Sequence, residues 1–395
     1  MLIFVANLGS TSFKYSLFET GQDAMKLLAR DGYERVEDHG VVIADALDKL
    51  EKEGVLSSRK DIQGVGFKAV LGHNLSGCVE GDDSCLEALD QAAELAPAHN
   101  PAYAAGIRQF RKLLPEATRV ALFETAFYQW VPEAKRRYAV PRKWYEAGIV
   151  RNGFHGASHK FIAERSASLM GRADVEERVR NLYRADGPPD CREEPFRVIS
   201  CHLGGSSSVT GMRNGIAVGC SLGLSPQSGL PHNNRVGDLD SMAIPLAMKR
   251  LGLSLDQVES QLTKESGLKG LSGVGNDLRD ILEARASGNP DAALAFDVLV
   301  HSIRQWIGSF HFDMGGAEAI VFTAGIGENN PLLREKVLDG LQNLGIQLDN
   351  ERNQAGGKGE YVISTDASKT KIWVIPTNEE EVVARETEKF IIQKQ

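Results

Sequence analysis

Four short stretches of this chain combine ionisable side chains with small residues in ways that suit the handling of an anion. In VALFETAF, residues 120–127, an apolar run suited to a buried strand ends in Glu124. A buried strand has little use for a carboxylate. Glu124 is therefore either a group with a chemical role or a polar residue at the rim of a sheet. In SGLPHNNRVGDLDS, Arg235 stands among Gly, Asn and Asp in an irregular loop. An arginine there suits a transferring phosphoryl group; a loop salt bridge with Asp238 or Asp240 is the plainer alternative. IVFTAGIGENNPLLRE reads as a strand, a Gly-x-Gly turn and a Pro-initiated helix. Gly325 and Gly327 would let backbone approach a ligand, and a helix N-terminus favours an anion; an ordinary strand–turn–helix junction looks similar. VIPTNEEEVVARETEKFII ends a strand with Thr-Asn and opens a helix with three glutamates. Acidic first turns complement the helix dipole, yet one such glutamate also suits a magnesium ion held through water.

The elements that must position these groups alternate short β-rich runs with longer amphipathic stretches, the pattern of an α/β protein. Strands are expected at LIFVAN, GVGFKAVL, RVALFE, FRVISCHL, AIVFTAG and KIWVIPT. Helices are expected over 83–95, 101–113, 158–170, 240–251, 291–313, 331–344 and 378–394. The polar, Pro-Pro-broken stretch GRADVEERVRNLYRADGPPDCREEP reads as a partly helical surface insertion. A weak internal repeat stands out. LIFVANLGSTSFKYSLFE (2–19) and FRVISCHLGGSSSVTGMRNG (196–215) each run strand, Gly/Ser turn, strand, with a polar residue (Asn7, His202) before Leu-Gly. Two such hairpins suggest a duplicated domain whose turns present N–H groups and hydroxyls to a phosphate chain. Two ordinary tight hairpins would read the same way.

Bulk properties narrow the classes. The 395 residues suit two domains, and 42% apolar with 25% charged residues is a globular composition. The net charge of −8 and the lack of a basic stripe argue against nucleic-acid binding. No run approaches the ~18–20 apolar residues of a membrane span, and MLIFVANLGS reads as a first strand, not a signal peptide. Five cysteines without C-x-x-C spacing suit a reduced, cytoplasmic protein. There is no P-loop motif. GVGFKA (64–69) matches a dinucleotide fingerprint but lies inside a strand with no helix opening after it. His155 and His159 in HGASH lack the glutamate and third ligand of a zinc helix.

Taken together, LAPAHNPA, FETAF, GFHGASHK, CHLGGSSS, GLSPQSGLPHNNRVGDLD, ESGLKGLSGVGNDLRDI, FTAGIGEN and IPTNEE occur in an order that resembles the acetate kinase family, within the acetate and sugar kinase/Hsp70/actin superfamily. The resemblance runs along nearly the whole chain. It implies an α/β fold of two actin-like (ribonuclease H-like) domains with an interdomain cleft that closes during turnover. The expected N-terminal domain spans 1–150, joined by the C-terminal helix at about 380–395; the nucleotide-binding domain spans 151–379. The implied reaction is reversible phosphoryl transfer from ATP to a short-chain carboxylate, giving an acyl phosphate and ADP with Mg²⁺, usually in a homodimer. By the same resemblance, Asn7 and Glu379 position the metal. Ser10, Ser12 and Lys14, and the second hairpin His202, Leu203, Gly204, Gly205 and Ser206, meet the phosphates. Asp277, Leu278 and Arg279 with Gly325, Ile326, Gly327, Glu328 and Asn329 hold the nucleoside. His155 and Arg235 stabilise the transferring group, and Glu124 stands at the catalytic acid position. Lys68 faces the substrate carboxylate, and Val70, Ala98, Phe154 and Pro226 line the acyl pocket.

The departures from the family pattern cluster at the acyl end. Glu124 replaces aspartate, Lys68 arginine, Phe67 and Tyr128 histidines, and Ala98 a leucine. Glutamate keeps the charge but adds a methylene; lysine keeps the charge but gives up the planar fork that grips a carboxylate. HNNRVGD stands for MGTRSGD, and HLGGS for HLGNG. The smaller Ala98 implies a preferred acid larger than acetate. Two other readings remain: the same fold with a different acceptor or donor such as pyrophosphate, and a non-catalytic nucleotide-binding regulator. NDLRDI and GIGEN favour ATP over pyrophosphate. A carboxylic acid is already ionised at neutral pH, so the chemistry needs compensating positive charge more than a general base.

Overall fold

The computed structural model describes residues 1–21, 24–72, 75–97, 99–185, 187–189 and 191–394. Ala98, expected in the acyl pocket, lies outside the described residues. Two compact units are present. The first comprises Met1–Gln129, Gly156–Phe161 and Asn378–Gln395; the second comprises Trp130–His155 and Ile162–Thr377.

In the first unit, β1 (Leu2–Leu8), β2 (Ser12–Gly21), β3 (Ala24–Glu34), β4 (Ile62–Ala69), β5 (Cys78–Glu80) and β6 (Thr118–Phe123) form one sheet in the order β3-β2-β1-β4-β6-β5. The pairs β1/β2, β2/β3 and β5/β6 are antiparallel, while β1/β4 and β4/β6 are parallel. In the second unit, β7 (Arg197–Leu203), β8 (Ser207–Arg213), β9 (Ile216–Cys220), β10 (Ala319–Thr323), β11 (Tyr361–Val362) and β12 (Lys371–Val374) form a sheet in the order β11-β12-β10-β7-β8-β9. Here β7/β8, β8/β9 and β11/β12 are antiparallel, while β10/β7 and β10/β12 are parallel. The two sheets are the same: an antiparallel meander, two parallel strands, and an antiparallel edge strand. The two hairpins that repeat in the sequence occupy equivalent places.

The parallel strands are apolar on both faces because helices cover them. In the second unit the helix Pro290–Met314 opens with the Asn289 side chain accepting from the Asp291 and Ala292 amides, and closes at Gly315 with φ 72°. Its buried residues Ala292, Ala295, Phe296, Leu299, Ile303, Ile307, Phe310 and Met314 recur every three or four positions, one helical face. In the first unit the helix Glu379–Lys394 lies against β4. Gly64 and Gly66 explain how close it comes. A Cβ at Gly66 would stand 2.5 Å from Thr387 Oγ1 and 2.7 Å from Val383 Cγ1; one at Gly64 would stand 2.6 Å from Ile391 Cδ1. The glycines of GVGFKA thus serve strand–helix packing.

Three expectations need correction. GIGEN is not a turn: Ala324–Asn329 is itself a short helix, entered through Ala324 at φ 63°, and a second helix, Pro331–Leu338, follows. The helix expected over 331–344 stops at Leu338, and Gln342–Leu344 is a 3₁₀ turn. The stretch after Gly171 is also more than a surface insertion. Its helix Ala173–Arg180 buries Val175 and Val179, and Leu182 follows them inward. Gly215, at φ 81°, leaves room for Val179 Cγ2, which would lie 2.2 Å from a Cβ there.

The same substitution should have opposite effects at two glycines. Gly66→Ala is expected to destabilise the protein by ~1–3 kcal/mol through overpacking. Gly308→Ala, on the exposed face of a helix with open space around it, is expected to stabilise by up to ~1 kcal/mol. Urea midpoints of the two variants against wild type test the pair.

Candidate functional site

In the first unit the charged groups gather at the ends of β1, β4 and β6. Asn7 is on β1 and Lys68 on β4, next to the pair Ala6–Phe67 in the parallel register. Glu124 follows β6, its amide donating to the Ala69 carbonyl at 2.8 Å. Glu379 is the first residue of the C-terminal helix. The Lys68 ammonium donates to the Glu379 carboxylate and lies 3.4 Å from Glu124 Oε1, with all three side chains largely buried. Burial alone would push the Lys68 ammonium down, but Glu379 and Glu124 outweigh it and hold its pKa well above the usual lysine value. Burial raises the Glu124 carboxyl, Lys68 opposes that, and Glu379 adds to it, leaving it above the ordinary range. Glu124 Oε2 is buried without a hydrogen-bond partner among the described residues. The residue is neither strand interior nor exposed rim, but the buried carboxylate just past a strand end.

Tyr103, fully buried in the helix Asn100–Leu113, donates its hydroxyl to Asn7 Oδ1 at 3.0 Å. Sequence reading missed this residue: its helical spacing marks it as core and gives no sign of the amide it serves. Lys14 faces Asn7 across the hairpin and makes an exposed ion pair with Glu34 at 3.4 Å. Such a pair contributes only ~0–1 kcal/mol, so Lys14 is readily released to another anion. Ser10 is exposed and Ser12 half-buried at the hairpin turn, and Val70 is buried just beyond β4.

In the second unit His155 sits at φ 58°, directly before the helix Gly156–Leu169. A non-glycine residue in the left-handed region is strained, and such strain gathers at functional sites. Its imidazole Nδ1 is hydrogen-bonded to Ser208 Oγ at 2.8 Å, and its ring stacks on His202 with centroids 4.2 Å apart. Gly156 itself belongs to the first unit, where a Cβ would stand 2.1 Å from the Glu124 carbonyl oxygen. His159 lies buried within that helix. Among the described residues, no group of three or more His, Cys, Asp or Glu side chains is arranged to hold a metal ion.

Arg235 donates to the Pro226 carbonyl at 2.6 Å. The expected alternative partners are otherwise engaged, Asp238 by the Gly229 amide and Asp240 by the Met242 amide. Burial pushes the Arg235 guanidinium down to about 10, so it stays charged at neutral pH. The loop is held from below: a Cβ at Gly267, φ 62°, would stand 2.2 Å from the His232 carbonyl oxygen. His232 was another residue the sequence reading passed over. Its Nδ1 accepts from the Ser207 amide at 3.0 Å, tying the Arg235 loop to the turn of the β7–β8 hairpin. His202, Leu203, Gly204, Gly205 and Ser206 form the end of β7 and that turn, while Phe154 and Pro226 are buried. Asp277 caps the helix Leu278–Ala286, and its carboxylate pairs with Arg279 at 2.6 Å. Buried Arg334 donates to the Gly327 and Glu328 carbonyls and to Asn353 Oδ1, fixing the Ala324–Asn329 helix from behind.

Burial, reinforced by the Arg235 charge, pushes the His232 imidazole down to about 3. The unfolded chain takes up a proton near 6.5 that the folded chain refuses, so this contribution is intact above pH 6.5 and lost as pH falls towards 3. Urea midpoints measured downward from pH 6.5 should fall more steeply for wild type than for His232→Gln. Parallel profiles would contradict this role.

The acetokinase family model matches residues 2–187 and 189–385. Acetate kinase of Halothermothrix orenii is 38% identical over 416 residues, covering 99% of this chain and all of that one. Among solved structures, Porphyromonas gingivalis acetate kinase superposes with a TM-score of 0.86 at 32% identity, covering 99% of each chain. A propionate kinase from Francisella tularensis superposes with a TM-score of 0.83 at 30% identity, covering 98% of this chain and 99% of its own. The fold of two repeated α/β domains is that of these enzymes, and the chain belongs to the acetokinase family.

Proposed function

We propose that the groups described above carry out the reaction that this family membership brings: transfer of a phosphoryl group between ATP and a short carboxylate. The protein is a phosphotransferase with a carboxyl group as acceptor. The observation that carries the assignment of residues is Arg235, a half-buried, charged guanidinium that donates to a carbonyl. Such a group has charge to offer an incoming anion.

The acceptor carboxylate is ionised at neutral pH and needs no base. The barrier lies in bringing it to an anionic phosphoryl group, so preorganised positive charge and donors should dominate. Arg235 supplies charge, and His155, oriented by Ser208, supplies a donor. Lys14, with Ser10, Ser12 and the turn His202–Ser206, meets the phosphates. The Asp277–Arg279 segment and the Ala324–Asn329 helix, braced by Arg334, hold the nucleoside. Lys68 is assigned to the acid's carboxylate, and Val70 of the first unit with Phe154 and Pro226 of the second to its acyl chain. Glu124, buried beside Lys68, orients a cation and does not abstract a proton.

Mg²⁺ is the cation we assign. Asn7 Oδ1 and the Glu379 and Glu124 carboxylates offer only oxygen donors, which suits a hard ion, and the unpartnered, buried Glu124 Oε2 is a lone pair in need of one. Asn7 and Glu379 would hold it. When bound it neutralises charge on phosphoryl oxygens.

A homodimer belongs to this reading. Its support is the helix Ala243–Leu251, which buries none of its residues, with Met242, Leu246, Leu251 and Leu255 exposed. So does the cytoplasm, supported by the free thiols Cys78, Cys85, Cys201 and Cys220. Among the described residues no helix is long and apolar enough to cross a membrane.

A hydroxylamine-trapping assay with Mg-ATP and a panel of acids tests the function. Acyl hydroxamate should form, with propionate or butyrate giving the highest kcat/KM; acetate ranking first would overturn the larger-acid preference. Arg235→Ala should lower kcat by ~10²–10³-fold. No hydroxamate with any acid would overturn the reading.

A further inference from the structure

We infer that Lys68 is an exchangeable counter-ion, shared between the protein's own carboxylates and the substrate's, and that this exchange makes the acid and the divalent cation bind cooperatively. The inference rests on the carboxylate kinase reading above. Its basis is the cluster in the first unit. One ammonium serves two carboxylates, Glu379 by a direct hydrogen bond and Glu124 at 3.4 Å, and the side chains are 22%, 15% and 5% exposed. These are the acids whose oxygens the cation needs. Tyr103 meanwhile holds Asn7 Oδ1 in place at 3.0 Å, so the amide does not have to be gathered.

An ammonium and a divalent cation cannot both sit against Glu379 without strong repulsion, which burial leaves poorly screened. Lysine is suited to moving away. Its charge is a compact point on a flexible four-carbon stem, where a guanidinium would be held by paired bonds to a planar carboxylate. Without acid, Lys68 competes with the cation. With acid bound, Lys68 has a second carboxylate to pair with, and Glu379 and Glu124 are released. Thermodynamic linkage makes the effect reciprocal: whatever factor the acid adds to cation affinity, the cation adds to acid affinity.

Mn²⁺, read by electron paramagnetic resonance, is the probe. The full-length protein is titrated with Mn²⁺ in the absence of nucleotide, with and without saturating propionate. In wild type the Mn²⁺ Kd should fall at least about fivefold when propionate is present, and the propionate Kd should fall by the same factor with Mn²⁺. Lys68→Met should bind Mn²⁺ at least about fivefold more tightly than wild type without acid, and should no longer respond to propionate. The wild-type measurement stands by itself if the variant does not fold. Acyl hydroxamate formation combined with independent binding of Mn²⁺ and propionate would overturn this inference alone. Lys68→Met binding Mn²⁺ no more tightly would also overturn it. Absence of hydroxamate would instead overturn the functional reading on which it rests.

Discussion

The first unit depends on how closely its last helix can approach its fourth strand. Gly64 and Gly66 offer no side chains to that helix, and Val383, Thr387 and Ile391 fill the space a Cβ would take. That approach brings Glu379, from the far end of the chain, to Lys68. It also sets the partner of Glu124, because Lys68 lies between the two acids. Without the glycines the helix would ride higher, and three buried ionisable groups would lose their mutual compensation. A buried charge without its partner is costly, so packing and chemistry are coupled at this point.

The two units solve opposite electrostatic problems. In the first, two carboxylates and one ammonium share a largely buried corner, with one negative charge in excess. In the second, Arg235 is held by a carbonyl, and the loop that carries it is pinned by His232 and by the close approach of Gly267. Phosphoryl transfer to a carboxylate joins two anions. On the proposed function, the first cluster would hold a cation and the arginine would meet an anion, as that reaction requires.

Much of this was legible in the sequence, for physical reasons. The hairpin repeat was visible because both copies need an apolar strand followed by a Gly/Ser turn, and the two sheets indeed share one strand order. Glu124 stood out because a carboxylate after a buried strand is costly unless it is used. The Gly64–Gly66 pattern was separated from a dinucleotide loop, but its purpose was not legible, since the helix that needs it lies more than 300 residues away. The Lys68–Glu379 pair was hidden for the same reason. GIGEN read as a turn because two glycines lower helix propensity; Arg334, a few residues on, ties the Gly327 and Glu328 carbonyls and supplies the missing stabilisation. The charged stretch after Gly171 looked solvent-facing because its buried residues, Val175, Val179 and Leu182, are few and stand among many charged neighbours.

The most direct test runs the reaction backwards. Purified protein, ADP, Mg²⁺ and acetyl or propionyl phosphate would be followed by ³¹P nuclear magnetic resonance. The acyl phosphate resonance should decline as the three resonances of ATP grow in equal proportion. Acyl phosphate that persists, or that gives only inorganic phosphate while ADP is unchanged, would contradict the proposed function.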